Sequence, residues 1–99
     1  MHRQKPPAAH WLIQGFDGLS KTHEWRIDAH NISEKNLQLL LRALVAKAGL
    51  TLDEIVGAHV NRRARLSNGL LHVSRDGPRL RFTCGDNPYF VADYRRAAP

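Results

Sequence analysis

The chain has 99 residues, 42% of them hydrophobic, and its 15 lysines and arginines against 9 acids give a net charge of +6. That size suits one domain, since two separate cores would be too small to persist without metals or disulfides. The single cysteine, Cys84, rules out an internal disulfide, no apolar run approaches a membrane span, and the first residues carry charge without an apolar h-region behind it, so a cytoplasmic protein is expected.

Residues 1–9 lack hydrophobic periodicity and contain Pro6-Pro7, which predicts a disordered tail ahead of a single domain over 10–94. His10 to Phe16 reads as a first strand, followed by turn chemistry at Asp17-Gly18 and Ser20. In His23 to His30, Trp25, Ile27 and Ala29 alternate with Glu24, Arg26 and Asp28, the period of an antiparallel strand with one wet face.

Ser33 offers an N-cap, and Leu37, Leu40, Leu41, Leu44, Val45 and Ala48 fall at the three-and-four spacing of a core-facing helix that closes at Gly49. Thr51-Leu52-Asp53-Glu54 matches a capping box and predicts a second helix, with Leu52, Ile55, Val56, His59 and Val60 on its inner face. That helix should end among Asn61 to Arg65, where Arg62, Arg63 and Arg65 meet the negative end of its dipole.

Leu70–Ser74 and Arg79–Cys84 flank Asp76-Gly77, which predicts a two-residue hairpin pairing Arg75 with Pro78, Val73 with Leu80 and Leu71 with Phe82. Leu71, Val73, Leu80 and Phe82 then share the inner face, and His72, Ser74, Arg79 and Arg81 the outer one. After a turn at Gly85 to Pro88, Tyr89 to Tyr94 forms a last strand, read with Phe90 and Tyr94 inward, and residues 95–99 form a flexible basic tail. The expected fold is therefore α+β: an antiparallel sheet of about five strands packed against two helices, in the order β-β-α-α-β-β-β.

The six histidines show neither a helical i, i+4 pair nor the close cysteine spacings of zinc sites, so no metal site is expected. His59 reads as a partly buried, hydrogen-bonded residue of the second helix. Cys84 falls on the face of Leu80 and Phe82, an apolar setting that raises a thiol's pKa and does not activate it. Asp17 and Asp76 are explained by turns, and Asp53-Glu54 by the capping box. The second helix, with Leu52-Asp53-Glu54-Ile55, Asn61 and Arg62-Arg63, resembles over a short stretch one helix of the all-α nucleotide pyrophosphohydrolases. Those enzymes need a helix bearing several metal-binding glutamates, and the preceding helix here holds only Glu34, so no cofactor or catalytic residue is inferred.

The remaining feature is charge. Arg62 to Arg81 holds six arginines against one acid, Asp76, and arginine is well shaped to fork onto phosphate or carboxylate oxygens. The expectation is a non-enzymatic module that contacts an anionic partner, nucleic acid or an acidic protein, through Arg79, Arg81 and His72 on the sheet and Arg62, Arg63 and Arg65 at the helix end. The alternative is an interaction or assembly subunit whose sheet pairs edge to edge, with charge serving solubility.

Overall fold

A computed structural model describes residues 9–60, 65, 68–78 and 80–96. Five antiparallel strands form one sheet: β1 (Ala9–Asp17), β2 (Ser20–Asp28), β3 (Val73–Asp76), β4 (Arg81–Gly85) and β5 (Tyr89–Arg96). Their spatial order is β2-β1-β5-β4-β3, and a short 3-10 turn, Ala29–Asn31, leads from β2 to two helices, α1 (Glu34–Gly49) and α2 (Leu52–His59). The fold is the α+β arrangement the sequence pattern implies. β1 begins at Ala9 and β5 runs through Arg96, so Arg95 and Arg96 are strand residues; 1–8 and 97–99 lie outside the described residues. Among the described residues no helix is long and apolar enough to cross a membrane.

The β1–β2 turn is Gly18-Leu19, and Gly18 has φ +62°, the positive value that a type II′ hairpin turn requires at its first central position. β1 is an interior strand, pairing with both β2 and β5, and it sends Trp11 and Ile13 to one face of the sheet. There they meet Phe82 and Cys84 of β4, Phe90 and Ala92 of β5, Leu71, and the stripe Leu37, Leu41 and Val45 of α1. Each of these α1 side chains contributes about 1.5–3 kcal/mol as an upper estimate, which is why α1 lies flat over β4 and β5. Leu40 and Leu44 are half-buried at the border, while Ala48, expected inward, is exposed.

Ser33 caps α1 by accepting from the Asn36 amide, and Thr51 and Glu54 form the expected capping box on α2. The inner face of α2 differs from the sequence reading. Leu52 is 81% exposed and Val56 49%, while Gly57 is buried and Ile55 and Ala58 are half-buried. The side of α2 that faces the protein carries Gly57, whose carbonyl accepts from the Asn68 amide at 3.0 Å, with Ile55 and Ala58 beside it, so Leu52 and Val56 fall on the outer side. His59 is correspondingly exposed, its Nδ1 2.7 Å from the Ile55 carbonyl.

The β3–β4 hairpin also differs. Asp76 pairs with Arg81, Arg75 with Phe82, Ser74 with Thr83 and Val73 with Cys84, so the loop has four residues, Gly77 to Leu80. A two-residue turn over Asp76-Gly77 needs the N–H of the next residue to close it, and Pro78 has none. Positive φ is found only at Gly18 and Gly85 among the described residues, so Gly77 does not supply it either. The slip is even, so Val73, Phe82 and Cys84 keep the inner face while Ser74 and Arg81 keep the outer one. Leu71 and Leu80 leave the ladder, though Leu71 stays buried.

On β5, Phe90 and Tyr94 do point to the helix side, Phe90 buried and Tyr94 edge-on to Trp11 at 5.3 Å. Val91 is buried as well, on the opposite face with Leu12, and there Phe16 stacks on Tyr89 at 5.1 Å. At the end of the sheet beside α1's C-terminus, Asn87 Oδ1 accepts from the Gly18 amide at 2.7 Å and ties the β1–β2 turn to the β4–β5 turn.

Candidate anion-binding groove

Arg81 starts β4 on the outer face, where its cross-strand partner is Asp93. Its Nε lies 3.5 Å from Asp93 Oδ1, and Arg95 Nη2 lies 4.0 Å from Asp93 Oδ2. The registers place Glu24, Asp28, Asp76 and Asp93 on this same face among Arg26, Arg81 and Arg95. The outer face is thus mixed in charge, because alternating strands bring acids opposite bases, a favourable cross-strand arrangement. Arg62, Arg63 and Arg79 lie outside the described residues, and Arg65 is an exposed turn residue.

His72 does not join Arg81. The lengthened hairpin loop leaves it just before β3, in a turn closed by its amide donating to Gly69 at 3.1 Å. It there lines a groove of about 700 Å3 on the helix side of the sheet. One wall is α1, which contributes Lys35, Gln38, Leu39 and Arg42; the other is the end of α2, with Ala58 and Val60; the floor comes from Asn68 to Val73. Positions 35, 38, 39 and 42 follow the i, i+3, i+4, i+7 spacing of a single helix face, adjoining the apolar stripe.

Asn68 holds the far wall. Its amide N–H donates to the Gly57 carbonyl at 3.0 Å, its Nδ2 to the Glu54 carbonyl at 3.0 Å, and its Oδ1 accepts from Leu70 at 3.1 Å. These bonds satisfy polar groups of Asn68 and of the end of α2 on the way from helix to sheet.

Electrostatically the groove is one-sided. Lys35, Arg42 and His72 supply its titratable lining among the described residues, with the amides of Gln38 and Asn68 beside them and no carboxylate. Arg42 Nε is buried and has no hydrogen-bond partner among the described residues. A buried donor left unmade costs about 1–3 kcal/mol, so such a group is usually satisfied by something, protein or ligand. Arg42 also reaches toward Cys84 on the core side. Burial pushes the Cys84 thiol up from its ordinary 9.0 to about 11, and the Arg42 guanidinium opposes that shift.

The chain matches no protein-family model, no curated protein and no solved structure. The chemistry of the groove therefore rests on its own residues. Among the described residues no cluster of three histidines, cysteines, aspartates or glutamates could hold a metal ion. Lys35, Gln38, Arg42 and Asn68 do not stand out by arginine density along the chain; the signal for the first three is the helical spacing of 35, 38 and 42 beside the core stripe, and Asn68 carries none.

Proposed function

We propose that this chain is a non-enzymatic binding module that holds a phosphate-bearing partner, nucleic acid in the first instance, in the groove between α1, α2 and the segment before β3. The observation that carries the reading is a groove whose described lining has three basic side chains and no acid, one of them Arg42, whose buried Nε has no hydrogen-bond partner among the described residues. Arginine and lysine neutralise phosphates and release condensed counterions, and amides such as Gln38 and Asn68 add hydrogen bonds to phosphate or sugar oxygens. Leu39, Ala58 and Val60 give an apolar wall against which a base or sugar can lie. The setting that fits is the cytoplasm, where a lone thiol such as Cys84 stays reduced.

The test is fluorescence anisotropy of short single-stranded and duplex oligonucleotides. With about two phosphates neutralised by Lys35 and Arg42, affinity should fall roughly seven- to twelve-fold between about 50 and 200 mM salt. Arg42→Gln should weaken binding alike for all sequences and lower the salt slope by roughly 0.7–0.9. Replacing Arg79 and Arg81 together tests the sheet face by the same measure. Absence of binding at low salt, or binding indifferent to salt and to Arg42→Gln, refutes the reading.

A further inference from the structure

The two edges of the sheet differ. β3 has four residues and gives way to Gly77 and Pro78, and short edges that end in proline resist further pairing. β2 has nine, and its irregularity is confined to the bulge opposite Gly15/Phe16, which leaves His23 to Asp28 as a regular edge. Because α1 lies over β4 and β5, the β2 side of the sheet has less cover. Trp25 is 41% exposed there, beside an apolar cleft of about 260 Å3 lined by Ile13, Trp25, Arg26, Ile27, Leu40 and Leu44.

We propose that β2 pairs antiparallel with β2 of a second copy, about a two-fold axis at Trp25, to give one sheet continuous across a homodimer. The register follows from the pleat and from charge. Residues opposite each other across an antiparallel pair share a face, so a two-fold axis perpendicular to the sheet must centre on a residue. Centring on Glu24 opposes two carboxylates. Centring on Arg26 opposes two guanidiniums and sets Glu24 against Asp28. Centring on His23 carries the pairing into the bulge, and centring on Ile27 leaves little strand to pair.

Centring on Trp25 sets Glu24 of each copy against Arg26 of the other, and symmetry makes that pair twice. Thr22 then faces Asp28, His23 faces Ile27, and the two Trp25 indoles meet beside the apolar clefts. The charges are poised for this. Lys21 and Gln14 both bond Glu24 through Oε1, at 2.9 and 3.1 Å, which leaves Oε2 for a partner. Arg26 has no ion-pair partner among the described residues.

Sedimentation equilibrium of the full chain tests this, with charge exchange as the diagnostic. The expected species has twice the chain's mass. Glu24→Arg and Arg26→Glu should each weaken dimerisation by about tenfold, since each places like charges opposite one another twice, and the double exchange should return the constant to within about threefold. Both positions are exposed, and Arg26→Glu breaks no bond within the chain, so loss of folding does not mimic the result. In a Cys84→Ala background, Trp25→Cys should form a disulfide-linked dimer on oxidation, because position 25 faces itself. A monomer at all concentrations up to about millimolar, a dimer indifferent to both single exchanges, or one that the double exchange does not restore overturns the proposal.

Discussion

Gly85→Ala should be far more damaging than Gly18→Ala, although both glycines have positive φ. Gly85 lies at φ +92°, outside the range that non-glycine residues adopt readily, at a cost of about 1–3 kcal/mol. Its new Cβ would also stand 2.7 Å from the Pro88 carbonyl oxygen and 2.9 and 3.1 Å from the Val45 methyls. Val45 is core, so the methyl cannot be absorbed by solvent, and overpacking adds about 1–3 kcal/mol. At Gly18 nothing lies within 4 Å of the built Cβ and φ is +62°, leaving only a conformational cost of about 1–2 kcal/mol. Equilibrium urea unfolding followed by circular dichroism separates the two. With a slope of about 1–2 kcal/mol per molar urea, the combined cost of about 2–6 kcal/mol should lower the midpoint by about 1–6 M for Gly85→Ala, against about 0.5–2 M for Gly18→Ala. The second half of the loss should couple to Val45, with Val45→Ala costing less in the Gly85→Ala background by about 1 kcal/mol or more. Equal midpoint shifts for the two glycines, or no coupling to Val45, would falsify the steric part of this account.

Cys84 gives a pH prediction. Its folded thiol titrates near 11 against an ordinary 9.0, so the folded state holds a proton that the unfolded state releases. Stability should be intact below about pH 9 and fall as pH rises toward about 11, and Cys84→Ala should remove that decline in urea midpoints taken across the range. Thiol labelling at neutral pH should be slow until the chain is unfolded. Asn87→Ala removes the acceptor for the Gly18 amide and should cost about 0.5–1.5 kcal/mol by the same unfolding assay, whereas Asn87→Asp keeps an acceptor there and should lose less.

Most of the architecture was legible because local chemistry and hydrophobic period agreed. Ser33, the Thr51–Glu54 box and the Leu37–Leu41–Val45 stripe each specify their element without help from distant residues. The hairpin register was not, since Asp76-Gly77 favours a tight turn that the missing donor of Pro78 forbids. The orientation of α2 was obscured for a different reason: its one buried residue is Gly57, and the apolar Leu52 and Val56, which spacing alone would place inward, are exposed. The groove depends on both misread points. His72 reaches it only because the loop is longer, and Arg42 belongs to it through the position of α2's end, which no spacing along the chain encodes.

The two walls of that groove are not equally anchored. α1 is seated by Leu37, Leu41 and Val45, whereas α2 buries only Gly57 and is tethered by the two bonds Asn68 makes to the Glu54 and Gly57 carbonyls. Moving α2 away from α1 breaks those two bonds, a cost of about 1–3 kcal/mol, and withdraws from the core only the half-buried Ala58. A ligand too wide for the resting groove would thus lose only about one to two powers of ten in affinity. Selectivity of such a cleft is set by the sign of charge it meets, and only weakly by the size of what carries that charge.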